Sequence, residues 1–136
     1  MIEEKLRDSA VRCMYKLGDA GSRFEVLVVG PKQIKLQADN VVIRLAYDTH
    51  DRNIYGVYWS PAIEVKHESD PASRFDLVNE AKSPIMLLYK RGIDVTRFPN
   101  IDDPQNIDEW MGTFFDALRD HAQDLLKGEA EGLGRG

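Results

Sequence analysis

Apolar positions near both ends of the chain recur with helical spacing. Over 2–17 and again over 107–127, an apolar residue returns every three or four positions, with charged residues between. This is the period of an amphipathic helix. Gly18 and Gly128 follow the two stretches, and glycine is common just beyond a helix C-terminus. The pattern therefore predicts an N-terminal helix over 2–17 and a C-terminal helix over 107–127.

Between these helices the period changes to two. Apolar and polar residues alternate at 33–38, and the apolar residues Val41, Ile43, Leu45 and Tyr47 share one face of 41–48, which is the pattern of a half-buried strand. We also predict strands at 24–29 and at 54–59, where Tyr55, Val57 and Trp59 share one face. Short turns such as Gly30-Pro31 and Asp39-Asn40 separate the strands, which makes successive strands antiparallel. We therefore expect an α+β fold, in which an antiparallel meander sheet of four or five strands is flanked by the N- and C-terminal helices.

The region after the fourth strand is more ambiguous. Ala62 to His67 is a candidate fifth strand, and the spacing of Phe75, Val78 and Ala81 suggests a short helical piece. Ser83-Pro84 is typical of a helix start, but the continuous apolar run at 85–89 fits a buried strand equally well. The sequence does not decide between a helix and a strand at 85–89.

Length and composition indicate one folded domain. The chain has 136 residues, of which 43% are hydrophobic and 30% charged, the balance of a globular protein. We expect a single domain over 1–128 and a frayed tail over 129–136. No stretch approaches the roughly 18 apolar residues needed to cross a membrane, and the charged N-terminus does not resemble a signal peptide. Cys13 is the only cysteine, so no internal disulfide can form, and a cytoplasmic location is expected.

Negative charge is concentrated in the last third of the chain. The formal net charge is −5, but residues 94–131 contain ten acids and three bases, a net −7, while the remainder is +2. An anionic surface repels phosphate backbones. Direct binding to nucleic acid is therefore disfavoured.

Four aspartates share one row of the predicted C-terminal helix. Asp108, Asp116, Asp120 and Asp124 follow a four-residue spacing, with Gly112 at the vacant position. Like charges at that spacing destabilise an isolated helix by roughly 0.2–0.5 kcal/mol per pair. The row is either a solubilising face or a docking surface for a cationic protein, which complementary charge would steer into place. We take these aspartates as candidate partner-binding residues.

A second candidate partner-binding group lies in the loop between the third and fourth strands. Asp48, His50 and Asp51 could supply metal ligands, but no second histidine is near and turns are commonly built from such residues. No nucleophile elbow, phosphate loop or zinc-protease motif is present. We therefore expect no cofactor, no bound metal and no catalytic residue.

Two stretches resemble small bacterial immunity proteins, which neutralise toxins of contact-dependent and other polymorphic systems. They are the strand Val41-Val42-Ile43-Arg44-Leu45-Ala46-Tyr47-Asp48 and the segment Leu87-Leu88-Tyr89-Lys90-Arg91-Gly92, the latter followed by a long helix that ends Leu125-Leu126-Lys127-Gly128. The resemblance implies a cytoplasmic protein without cofactor that masks a toxin's active site, possibly that of a basic nuclease. One departure is His50, at a hairpin position where such proteins often carry a basic residue.

Two other classes compete with this interpretation. Dedicated chaperones of secreted bacterial effectors are also acidic α+β chains of about this size, and they bind an extended client segment along apolar grooves. A small enzyme or metal-binding protein that uses the loop carboxylates is the third class.

Overall fold

The computed structural model describes residues 1–38, 41–60 and 83–128. The helices and strands are, in chain order, α1 (Ile2–Lys16), α2 (Asp19–Ser22), β1 (Glu25–Gly30), β2 (Gln33–Ala38), β3 (Val41–Asp48), β4 (Asn53–Trp59), α3 (Pro84–Lys90), α4 (Ile107–His121) and α5 (Gln123–Lys127). Short 3-10 turns at Val95–Arg97 and Pro104–Asn106 connect α3 to α4. The predicted α+β class is confirmed.

The four strands form one antiparallel sheet in the order β1-β2-β3-β4, so the predicted meander is confirmed. The alternation in the sequence sets its two faces. Ile34, Ile43 and Tyr58 lie on one face and are fully buried. Lys35, which pairs with Arg44, lies on the other face.

Helices cover the apolar face of the sheet. α1 packs against β1, β2 and α4, while α5 contacts β3. Their apolar stripes join the buried strand residues in one hydrophobic core that includes Leu6, Leu36 and Phe114. Cys13 belongs to this core, and burial raises the pKa of its thiol.

Residues 84–90 form a helix, which resolves the ambiguity left by the sequence. The Ser83 side chain caps it by accepting a hydrogen bond from the Met86 backbone N–H at 3.5 Å, and Pro84 occupies its first turn. Pro84 and Leu88 are buried, whereas Met86 and Tyr89 are exposed. The helix therefore begins at Ser83-Pro84, the pair that the sequence marks as a helix start.

We predict that Ser83→Ala lowers the free energy of unfolding by about 1 kcal/mol, because it leaves the Met86 N–H without its cap. Ser83→Asp keeps an acceptor oxygen and should retain most of the stability. Urea denaturation of both variants measures the difference. Equal midpoints for the alanine and aspartate variants would show that the cap contributes nothing.

The long C-terminal helix is broken, which corrects the prediction for 107–127. α4 ends at His121, and Ala122 adopts φ −147° and ψ 43°, outside the helical region. α5 then runs from Gln123 to Lys127 and ends at Gly128 with φ 70°. The predicted helix is continuous only over Ile107–His121.

Several predicted elements lie outside the described residues. These are the turn at Asp39-Asn40, the candidate strand at Ala62–His67, the helical piece around Phe75 and the tail over 129–136. No helix in the described part of the chain is long and apolar enough to cross a membrane.

Candidate partner-binding surface

Asp116 and Asp120 are exposed on α4, one turn apart. Both contact the guanidinium of Arg119, at 3.4 Å for Asp116 and 2.9 Å for Asp120. The pKa of Asp120 is lowered, mainly by the hydrogen bond that Arg119 donates to its carboxylate. Two carboxylates therefore share one exposed cation, and the pair keeps a net negative charge.

Asp108 has a different environment at the start of α4. It forms an ion pair with Arg12 of α1. The pKa of Asp108 is lowered, first by the neighbouring Ser9 hydroxyl as a hydrogen-bond donor and then by Arg12. Because α1 and α4 pack together, this carboxylate lies at a joint between two helices. Asp108 therefore has a partner within the fold.

Asp124 is also held within the fold. The guanidinium of Arg91 donates two hydrogen bonds to its carboxylate, one of them 2.6 Å long, and a third to the carbonyl of His121 at 3.3 Å. The hydrogen bond from Arg91 is the main cause that lowers the pKa of Asp124. Since the break at Ala122 places Asp124 on α5, the predicted row of four aspartates is wrong: only Asp108, Asp116 and Asp120 lie on α4.

The loop between β3 and β4 is organised by Asp48. Its carboxylate accepts hydrogen bonds from the backbone N–H groups of His50 at 2.8 Å and Asp51 at 3.1 Å. These bonds, that of Asp51 first, lower the pKa of Asp48. Asp51 in turn accepts a 2.7 Å hydrogen bond from the Tyr55 hydroxyl. Asp48 shapes the turn, while His50 and Asp51 are exposed.

A cleft of about 540 Å³ lies between α4 and the segment that follows α3. Asp94, Asp116 and Asp120 contribute carboxylates to its walls, and Phe98 and Ala117 contribute apolar surface. The lining also contains two arginines, Arg91 and Arg97, and one histidine, His121. Arg91 is paired with Asp124 and Arg97 lies 3.6 Å from Asp94. The two α4 carboxylates are therefore placed where a cationic side chain could enter.

A second, apolar groove of about 300 Å³ lies between the start of β4 and α3. Tyr55, Met86 and Tyr89 line it, and all three are exposed large hydrophobic residues. Tyrosine and methionine are enriched in the cores of protein interfaces. Exposed apolar surface of this kind is typical of a binding site.

Neighbouring residues of one short segment line the cleft and the groove. Asp94 lines the cleft and Val95, the next residue, lines the groove. We call the cleft and the groove together the bipartite surface. Of the seven sequence-predicted site residues, Asp116 and Asp120 line this surface, and Asp51 is bonded to it through Tyr55. His50 and Asp48 lie in the adjoining loop, whereas Asp108 and Asp124 serve contacts within the fold.

The groove residues were missed by reasoning from the sequence. Met86 and Tyr89 belong to an apolar run that looked buried throughout. Their three-residue spacing marks an exposed helical face only once 84–90 is known to be a helix. Tyr55 lies in a predicted strand, and no signal in the sequence marks its side chain as exposed.

The described residues contain no group of three or more His, Cys, Asp or Glu side chains placed to hold a metal ion. Comparison of the chain with protein-family models, with curated proteins and with solved structures finds no match.

Proposed function

We propose that this chain is a non-enzymatic immunity protein that binds a cationic toxin domain in the cytoplasm and masks its active site. The observation that carries the proposal is the exposed pair Asp116 and Asp120, which lies on the wall of a cleft and has one shared cation, Arg119. Acidic surfaces steer basic partners and raise association rates. A nuclease is the toxin class we expect, because it must carry positive charge to bind nucleic acid.

The carboxylates of Asp116 and Asp120 would steer the partner during association. The apolar groove would supply most of the binding energy. Rim charges act mainly on the association rate, while a few buried aromatic and similar side chains carry most of the binding energy. Tyr55, Met86 and Tyr89 are placed for that second role beside the cleft. The Asp51 carboxylate fixes the Tyr55 hydroxyl, which reduces the entropy lost when a partner orders that ring.

The direct test starts from the reading frames next to the gene for this chain, one of which the proposal requires to encode a toxin domain. We expect the two purified proteins to form a stoichiometric complex and the toxin's activity to fall to zero at one equivalent. A toxin that retains its activity in the presence of excess protein would contradict the proposal. A genomic neighbourhood with no toxin reading frame would contradict it as well.

A chaperone for a secreted effector is the second candidate, and the apolar groove is the observation that favours it. Such a chaperone would bind an extended, unfolded client segment and would leave the folded effector unbound. An immunity protein would bind the folded toxin. Binding of the folded and urea-unfolded forms of the neighbouring gene product separates the two classes. Turnover of a small molecule that depends on Asp48 or Asp51 would instead indicate an enzyme.

A further inference from the structure

His121 lines the cleft at the point where α4 ends, and this residue is exposed. Its charge reaches the acidic face of α4. The hydrogen bond from Arg119 is the main cause that lowers the pKa of Asp120, and the charge of His121 is a further cause. Histidine is the side chain that ordinarily gains or loses a charge between pH 5 and 8. The cleft wall therefore contains a group of the type that responds to pH near neutrality.

The other charges around His121 nearly cancel one another. Four carboxylates and three guanidiniums line the cleft or form an ion pair with a lining residue, and they come from the end of α3, the segment after it, α4 and α5: Asp94, Asp116, Asp120 and Asp124, with Arg91, Arg97 and Arg119. Lys90 and Lys127, the other cations of α3 and α5, are not among the lining residues. One carboxylate is therefore in excess, and the charge of the cleft is negative by a single unit.

One proton on His121 would cancel that single negative charge. The groups around it keep their own charge between pH 5 and 8. Hydrogen bonds lower the pKa of Asp94, Asp120 and Asp124, and aspartates ordinarily titrate near pH 3.9, well below this range. Arginine stays protonated throughout it, and burial raises the pKa of Tyr58, which lies against α5, to about 12. The protonation of one imidazole thus decides whether the cleft carries a net charge.

We propose that His121 makes the acidic cleft pH-sensitive, so that its imidazolium form weakens the attraction for a cationic partner and its neutral form leaves that attraction intact. The inference rests on the proposed function, because it concerns the cleft towards which the partner is steered. The sign follows from the charges: binding of a cation weakens as the pH falls. Since salt screens exposed charges, the effect should be largest at low ionic strength.

The test uses a peptide of four arginines with blocked ends, because its charge is constant between pH 5.5 and pH 8. Fluorescence anisotropy at low salt measures its dissociation constant. For the wild type this constant should rise about three- to tenfold from pH 8 to pH 5.5, as expected for one added unit charge close to the bound cation. A constant that does not change with pH, or a peptide that does not bind at pH 8, would overturn the proposal.

Three variants assign the effect to His121. His121→Gln cannot gain the charge and should bind the peptide nearly equally at both pH values. His121→Lys carries the charge permanently and should bind at pH 8 as weakly as the wild type does at pH 5.5. The matched control His50→Gln changes a histidine of the loop between β3 and β4 and should keep the full pH dependence. Circular dichroism confirms that each variant is folded.

The two proposals fail in different ways. If His121→Gln keeps the pH dependence of the wild type, the role of His121 is wrong, whereas inhibition of a toxin measured at pH 8 is unaffected by that result. If no toxin is inhibited at pH 8 but the peptide binds with the expected pH dependence, the immunity function is wrong and the pH-sensitive cleft stands.

Discussion

Replacing Trp110 with alanine is expected to lower the free energy of unfolding by about 3–5 kcal/mol, the range found for buried aromatic residues. The Trp110 side chain is 2% exposed. Its ring stacks on Phe114 at a centroid distance of 5.2 Å and meets Phe98 edge-on at 5.6 Å. Since Phe98 also lines the cleft, the variant should loosen the cleft wall as well as the core.

Urea denaturation followed by circular dichroism measures this loss. Trp110→Phe keeps an aromatic ring and should cost clearly less than the alanine variant. Tyr89→Ala removes an exposed ring and should change stability by no more than about 0.5 kcal/mol. A loss below about 1 kcal/mol for Trp110→Ala would contradict the packing described for the α4 core.

Replacing Arg91 with alanine is expected to cost about 2 kcal/mol. Its guanidinium bonds Asp124 through two nitrogens and the His121 carbonyl through one, so it fastens α5 beside the break at Ala122. The side chains of Arg91 and Asp124 are 23% and 35% exposed. We therefore expect a loss of unfolding free energy between two limits. Surface ion pairs contribute roughly 0–1 kcal/mol, and removing one partner of a buried pair costs about 3–5 kcal/mol.

The same ion pair predicts a pH dependence. Because Arg91 lowers the pKa of Asp124 in the folded state, its contribution is complete above the ordinary aspartate pKa of about 3.9. It is lost as the pH falls below that value towards the folded-state pKa. The difference in stability between the wild type and Asp124→Asn should therefore shrink below about pH 4. A constant difference across that range would rule out the ion pair as its source.

The sheet could be predicted from the sequence because local signals agree there. Strand periodicity, Gly30-Pro31 and the short loop at 49–53 all favour an antiparallel meander, and the strand bounds are within one residue of the prediction. The start of α3 was likewise marked by Ser83-Pro84. The length of an apolar run, by contrast, does not distinguish a helix from a buried strand.

The break at Ala122 could not be predicted, because the apolar stripe continues through it. Leu118, Ala122 and Leu125 are all buried, as one straight helix would also require. The bent path is accompanied by contacts from distant residues: the Tyr58 hydroxyl donates a 2.9 Å hydrogen bond to the Leu125 carbonyl, and Arg91 binds Asp124. The sequence spacing of the acidic residues therefore overstated the size of the exposed acidic row.

The break also changes which variants can test partner binding. Asp124→Asn and Asp108→Asn would disturb contacts within the fold, and a loss of binding in either could come from loss of structure. Asp116→Asn with Asp120→Asn removes two exposed charges and a like-charge pair at four-residue spacing, so the helix should keep its stability. With the double variant, a loss of binding can be assigned to the missing charges and not to a loss of structure.

The most direct measurement of the proposed steering is the association rate of the Asp116→Asn/Asp120→Asn variant with the toxin domain that the proposal requires a neighbouring gene to encode. At low salt we expect a fall of about tenfold. The difference should shrink near physiological ionic strength, where exposed charges are screened over about 8 Å. The matched control Glu4→Gln/Asp8→Asn removes two exposed acids from α1 and should change the rate much less. An association rate at low salt equal to that of the wild type, or a fall no larger than that of the control, would contradict the claim that the acidic face of α4 steers a cationic partner.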